Sequence, residues 1–385
     1  MSIGTTQKTL TITLKFFVGL LFIFSGLIKL NDPLGFSYKL EEYFEVLHIT
    51  FLIPFSLIIS ILLCASEVIL GAFLLFAYQT KKVLWALLLL IVFFTFLTFY
   101  SAYFEVVKTC GCFGDAIPLT PWTSFTKDLL LLAAILFLFY QRKRLPTQNT
   151  SVVLAILMVI ITFSFGIYTY NFLPILDFLP YKIGANIPQL MKLPPNAKAD
   201  VYEILYTLKN LKSGETKQIT DKEYLKAKLY EDKNWELVGS TLPKLILKGD
   251  EIIIKDLNIY DANGVSYTRE IIENPYYNLV VLAYNLNKSS LNAIGDINAL
   301  AINANQSFNI QSVFLTSNSA TDAAGFAKKN HLAMDIFYAD AVPLKSMVRS
   351  NPGLLLLKNG VIVDKWPSSN LPSSDELNKK YFSKN

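Results

Sequence analysis

Five apolar stretches, each about as long as a lipid bilayer requires, stand in the sequence before Leu179. They run from about Leu10 to Leu30, Leu52 to Tyr78, Val83 to Phe104, Phe125 to Tyr140 and Val152 to Leu173. A helix crosses the hydrocarbon core in about 20 residues. Lipid offers the backbone no hydrogen-bond partner, so each stretch must be helical. These stretches lift the mean hydropathy to +0.39, a value that a soluble chain of 385 residues rarely reaches. Beyond residue 180 the composition is ordinary. The expected architecture is therefore multi-domain: an α-helical transmembrane bundle of about five spans, then a soluble α/β domain. The first run has no small-x-small site before a polar break, and reads as a retained span rather than a cleaved leader.

Flanking charge orients the spans. Lys8 and Lys15 precede or open the first, Lys81 and Lys82 separate the second from the third, and Arg142, Lys143 and Arg144 separate the fourth from the fifth. The opposite side carries Asp32, Glu41, Glu42, Glu45, Glu105 and Asp115, against Lys29, Lys39 and Lys108. The positive-inside rule places the N-terminus in the cytoplasm and, with five spans, everything after Leu173 outside. In a double-membrane bacterium that is a multi-pass protein of the inner membrane with a periplasmic C-terminal domain. Between Gly35 and His48, Leu40, Tyr43, Phe44 and Leu47 recur at helical spacing among acidic residues, as in a helix lying at the interface. The net charge of +5 is scattered and builds no basic stripe, which argues against a nucleic-acid partner.

The soluble half begins with a proline-bearing stretch, Tyr181 to Pro195, that reads as a linker. Strands are expected at Ala199–Leu208, Trp235–Val238, Lys244–Leu247 and Glu251–Ile254, with a helix at Asp221–Tyr230. Then Leu279–Tyr284, Ser312–Thr316 and Asp335–Tyr338 read as strands. Tyr267–Glu273, Ser290–Ala304, Ala320–Asn330 and Leu344–Arg349 read as helices. A hairpin joins Pro352–Leu357 to Val361–Trp366 through Asn359-Gly360. Strands alternating with helices and closed by a hairpin resemble the thioredoxin fold. The lead-in Asp256–Tyr284 resembles that of TlpA-like and peroxiredoxin-like domains. The resemblance implies a cis-proline at Asn351-Pro352 and a Cys-x-x-Cys after the central strand. That place instead reads Asn285-Leu286-Asn287-Lys288-Ser289-Ser290, and no cysteine follows Cys112. A domain without the dithiol would bind or position rather than exchange disulfides. His331 stands alone and reads as a helix-end histidine.

Chemistry concentrates in Thr109-Cys110-Gly111-Cys112-Phe113-Gly114-Asp115, between the third and fourth spans. Two cysteines flanking one glycine can close a small, strained disulfide that is readily reduced. They can equally be structural cysteines that pack a loop. With three cysteines and two histidines in the chain, no metal site is expected. Glu67 falls deep in the second span, where a carboxylate is costly unless paired, and Lys29 near the end of the first is a candidate partner. Cys64, one turn before Glu67, reads as a small buried residue.

Cys110-Gly111-Cys112-Phe113-Gly114-Asp115, Phe24-Ser25-Gly26-Leu27-Ile28-Lys29-Leu30 and Glu67-x-x-x-Gly71 together resemble the DoxX/MauE family of bacterial membrane proteins, over residues 8–142 as a four-helix transmembrane domain. The fifth span at 150–175, a linker and small mixed β region at 176–255, a thioredoxin-like domain without catalytic cysteines at 256–370 and a polar tail at 371–385 lie beyond the family pattern. The resemblance implies thiol–disulfide redox or maturation of exported periplasmic proteins, with Cys110 and Cys112 as the redox pair, Glu67 handling protons or packing, Lys29 its partner, and a quinone as a possible electron acceptor. The alternative is a non-catalytic anchor whose tail recruits a periplasmic protein partner.

Overall fold

The computed structural model describes residues 5–107, 111–147, 152–247 and 249–382. The first half is built of α1 (Thr5–Asn31), α2 (Pro33–Val46), α3 (Ser56–Leu75), α4 (Thr80–Phe104), α5 (Pro121–Tyr140) and α6 (Val152–Phe172). Among the described residues five helices are long and apolar enough to cross a membrane: Gln7–Asn31, Thr50–Leu75, Thr80–Phe104, Pro121–Tyr140 and Val152–Phe172. Their outward faces are bare hydrocarbon, with Leu89, Leu130 and Ile161 each about two-thirds exposed (67%, 69% and 66%). In water that surface would be one large apolar patch, whereas lipid solvates it.

Glycine allows a close contact between α1 and α3. A Cβ on Gly26 would lie 2.8 Å from the Cys64 carbonyl, and one on Gly71 would lie 2.7 Å from the Gly19 carbonyl. The backbones of α1 and α3 therefore touch, as small residues allow between membrane helices. Pro33 lacks an amide hydrogen and ends α1. It opens α2 at the position where proline is tolerated, and the Asp32 carboxylate caps the Gly35 amide at 2.8 Å. The apolar residues of α2 (Phe36, Leu40, Tyr43 and Phe44) are buried in the bundle rather than lying on a lipid surface. Asn31 then pins the chain that leaves α6, bonding the Leu176 carbonyl at 2.7 Å and amide at 3.0 Å.

Two compact units divide the chain: Met1–Ala185 with Leu257–Asn385, and Asn186–Asp256. The smaller holds α7 (Ile187–Leu190) and five strands: β1 (Val201–Glu203), β2 (Leu205–Asn210), β3 (Thr216–Thr220), β4 (Trp235–Ser240) and β5 (Lys244–Leu247). β1 pairs with β5, and β3-β2-β4 form an antiparallel sheet. α8 (Asp221–Lys226) starts on a capping box made by Thr220 and Glu223. Glu251–Ile254, expected as a strand, is not one, and the Ile254 amide bonds the Leu190 carbonyl instead.

In the larger unit the C-terminal region contains α9 (Thr268–Ile272), β6 (Tyr277–Leu282), α10 (Leu291–Phe308), β7 (Gln311–Thr316), α11 (Ala320–Asn330), β8 (Asp335–Tyr338), α12 (Ala341–Met347), β9 (Gly353–Lys358), β10 (Val361–Pro367) and α13 (Ser374–Leu377). The sheet order is β10-β9-β6-β7-β8, with β6, β7 and β8 parallel and β9 and β10 antiparallel. β6 and β9 lie inside the sheet, and their apolar runs Leu279–Leu282 and Leu354–Leu357 are buried, as in strands covered on both faces. The Asn351–Pro352 bond before β9 is cis. Asn359 and Gly360 turn the hairpin with φ of 49° and 78°. His331 ends α11 in a left-handed conformation.

Two stretches differ from expectation. Tyr181–Ala185, where the prolines predict the start of a linker, is a strap on β10: Gly184 donates to the Ile362 carbonyl at 2.8 Å, and Ile362 to that of Ala185 at 3.0 Å. The polar composition of 371–385 predicts a tail, but its described residues place Leu377 and Phe382 in the same core as Phe314 and Leu356.

Candidate functional site

Glu67 and Lys29 meet. Gly26 lets α1 and α3 approach, and one turn further along each helix the Lys29 ammonium and Glu67 carboxylate form an ion pair with side chains only 3% and 2% exposed. The ammonium also faces the rings of Phe94 and Phe36, at 4.9 and 5.2 Å from their centroids. Such a pair is expensive to split once buried. The other Glu67 oxygen receives the Ser25 hydroxyl at 2.8 Å.

Ser25 links this pair to the cysteine-bearing turn. Its oxygen also lies 2.9 Å from the Cys112 carbonyl. One hydroxyl proton thus has two acceptors in reach, and it serves one of them at a time. Gly111 and Gly114 adopt left-handed φ of 67° and 54°, and the Gly114 amide closes the turn on the Gly111 carbonyl at 3.0 Å. Cys110, with Lys108 and Thr109, lies outside the described residues. Cys64 is fully buried in α3, with its carbonyl against Gly26.

A pocket inside the bundle joins these groups. Its walls include Ser25, Lys29, Glu67 and Cys112, and it continues to Lys127 and Asp128 on α5. Lys127 pairs with Asp128 and sits 5.4 Å from the ring centroid of Phe113, the residue after Cys112. Asp128 is 1% exposed, and its second oxygen has no hydrogen-bond partner among the described residues. The pocket leaves about 40 Å³ open to water centres, room for roughly three waters.

From the other side the turn is held by the C-terminal region. Arg349, just after α12, is 7% exposed. Its Nε donates to Asp32 at 2.7 Å, one Nη to Asp115 at 2.8 Å, and the other Nη to the Lys345 carbonyl at 2.7 Å. Burial opposes the guanidinium charge, but Asp32 and Asp115 outweigh it and hold Arg349 above its ordinary range. Nearby, the Tyr38 and Tyr284 hydroxyls bond at 2.8 Å and the Lys345 ammonium lies over the Tyr38 ring. Burial, and then the neighbouring phenol, push Tyr38 well above its usual value. The place where a dithiol would stand after β6 is a closed amide network: Asn351 donates to the Asn285 carbonyl at 2.7 Å, and the Leu286 amide donates to Asn318 at 3.0 Å.

Lys29, Glu67 and Cys112 are thus brought onto one pocket. Ser25 was visible only as part of a motif. Lys127 and Asp128 went unremarked, although ionisable residues inside an apolar span are themselves a signal. Arg349 carries no local signal.

Fold and site define a multi-pass helical-bundle membrane protein with a buried ion pair beneath a cysteine-bearing turn. Residues 7–141, which cover α1 to α5 and that turn, match the family model of methylamine utilisation protein MauE. No curated protein matches the chain.

Proposed function

We propose that the protein is a bacterial inner-membrane component of periplasmic thiol–disulfide chemistry, with Cys110 and Cys112 as its exchanging pair. The observation that carries this reading is the position of Cys112, on the wall of a bundle pocket that also holds Ser25, the Lys29–Glu67 pair and the Lys127–Asp128 pair. Structural cysteines packing a loop would not need two ion pairs and an orphaned carboxylate oxygen beneath them.

The exchange is written with a periplasmic dithiol. A partner thiolate attacks one sulfur of the Cys110–Cys112 disulfide, the S–S bond breaks, and a mixed disulfide forms. The partner's second thiol resolves it. The partner is oxidised by two electrons, the pair is reduced by two, and the partner's two thiol protons end on Cys110 and Cys112. The reverse reaction reduces a partner disulfide. Glu67, Lys29, Lys127 and Asp128 are the groups placed to take up or return protons as the pair changes state.

The C-terminal region is read as a thioredoxin-like domain used for positioning. Its strand order and the place of Asn351-Pro352 before β9 support this, as does the amide network standing where a dithiol would be. That edge faces α2 through Tyr284 and Tyr38, which favours action on the bundle over recruitment of a partner through the same edge. The orientation, with this domain periplasmic, rests on the flanking charges.

The test is mass-tagged alkylation of the purified protein equilibrated in thiol buffers of stepped potential. A two-thiol transition that vanishes in Cys110→Ser and in Cys112→Ser is expected. A pair fixed in one state across the series contradicts the reading.

A further inference from the structure

We propose that Arg349 is a positioning residue for the cysteine-bearing turn, so that the C-terminal domain sets in cis how accessible Cys112 is. The proposal takes its meaning from the thiol–disulfide reading, but its test does not depend on it.

The turn is fixed at two points. On the bundle side the Ser25 hydroxyl lies against the Cys112 carbonyl. On the other side Asp115, three residues on, is held by Arg349. The same guanidinium holds Asp32, whose other oxygen caps α2. One planar cation, three of whose donors are used in fixed directions, thus ties the turn, the α1–α2 junction and the last turn of α12 together. These elements stand far apart in the chain.

Position 35 shows how closely the clasp is built. A Cβ on Gly35 would stand 2.8 Å from an Arg349 Nη and 2.4 Å from the Asp32 carboxylate. Glycine is needed there for the guanidinium to reach both aspartates. A domain merely tethered by α6 would need neither the glycine nor a buried arginine. The arrangement makes the domain part of the site: when Arg349 is seated, the turn cannot swing Cys112 away from the pocket.

The experiment uses the full chain in lipid nanodiscs, in a Cys64→Ala, Cys110→Ser background that leaves Cys112 as the one thiol. The rate of Cys112 labelling by a membrane-impermeant maleimide is measured. Arg349→Met and Gly35→Ala are expected to raise the rate severalfold, since opening the turn no longer breaks the ion pair between the buried Arg349 guanidinium and the half-exposed Asp115 carboxylate. Arg349→Lys, which keeps the charge but loses the fork, should fall between. Limited proteolysis reports whether the C-terminal domain stays folded. If Arg349→Met unfolds it, Asp115→Asn decides, because it frees the turn while leaving the Asp32 contact. Faster labelling in Asp115→Asn with an unchanged proteolysis pattern supports the proposal. Labelling within about twofold of the parent in Gly35→Ala and Asp115→Asn overturns it. A positive result here beside a pair that never changes state would leave the clasp standing and remove only the redox reading.

Discussion

Splitting the Lys29–Glu67 pair is the sharpest perturbation the bundle offers. Both side chains are almost wholly buried, at 3% and 2% exposure, so removing one leaves its partner without its counter-charge in a pocket with room for only a few waters. Breaking such a pair costs about 3–5 kcal/mol. Each half keeps other contacts. Without Glu67, the Lys29 ammonium keeps the ring faces of Phe94 and Phe36, which return up to about 2 kcal/mol when desolvated. Without Lys29, Glu67 keeps the Ser25 hydroxyl, about 1.5–3 kcal/mol for a bond to a charged group, though that hydroxyl is shared with Cys112, and the more distant charge of Lys127. These residual contacts are of similar size, so Lys29→Met and Glu67→Gln should destabilise about equally, and the double variant should recover most of the loss because neither charge of the pair remains. The assay is reversible unfolding of the protein in mixed micelles, read as a double-mutant cycle. A coupling energy of roughly 2 kcal/mol or more is expected for groups in direct contact. Single variants that each lose under about 0.5 kcal/mol, and add without coupling, would refute the argument that this pair is held away from bulk water.

The close approach of α1 and α3 predicts that Gly71→Val, which pushes a branched side chain against the Gly19 carbonyl, costs at least about 1–3 kcal/mol in the same assay, whereas Ala at the open position Gly295 changes little. In the C-terminal core, Phe382→Ala should cost about 3–5 kcal/mol, seen as earlier proteolysis of the sheet region, because Phe382 is buried against Tyr277 and Phe308. The raised Tyr38 and Tyr284 phenols give docking a pH limit. Their contribution is complete below the free phenol value of about 10 and is lost as pH rises through the raised values, so alkaline titration should show two late phenolates that disappear in Tyr38→Phe with Tyr284→Phe.

Much of the architecture was legible because its signals are local. Apolar length marks the spans, and Asn359-Gly360 marks the hairpin. β3 was missed because Thr216–Thr220 offers a single apolar residue, Ile219, and so no alternation to read. Phe382 was missed because its burial depends on Tyr277 and Phe308, far away in the chain. The site divides in the same way. Lys29 and Glu67 stand out as charges in apolar helices, and so do Lys127 and Asp128 once the rule is applied to α5. Their convergence on one pocket with Cys112 is a property of helix packing, which needs Gly26 and Gly71 at the contact. Arg349 had no signal at all: a basic residue on a soluble domain becomes a structural cation only when folding brings Asp32 and Asp115 to it.

The most direct check is the state of the two cysteines in living cells. Cultures are quenched in acid and alkylated with a mass tag, and the chain is separated by size. The protein should be found partly with both thiols of the Cys110–Cys112 pair tagged and partly with neither, and the proportion should move when a reductant or oxidant is added to the medium. A chain whose two sulfurs carry the same tag count in every condition would contradict the central proposal.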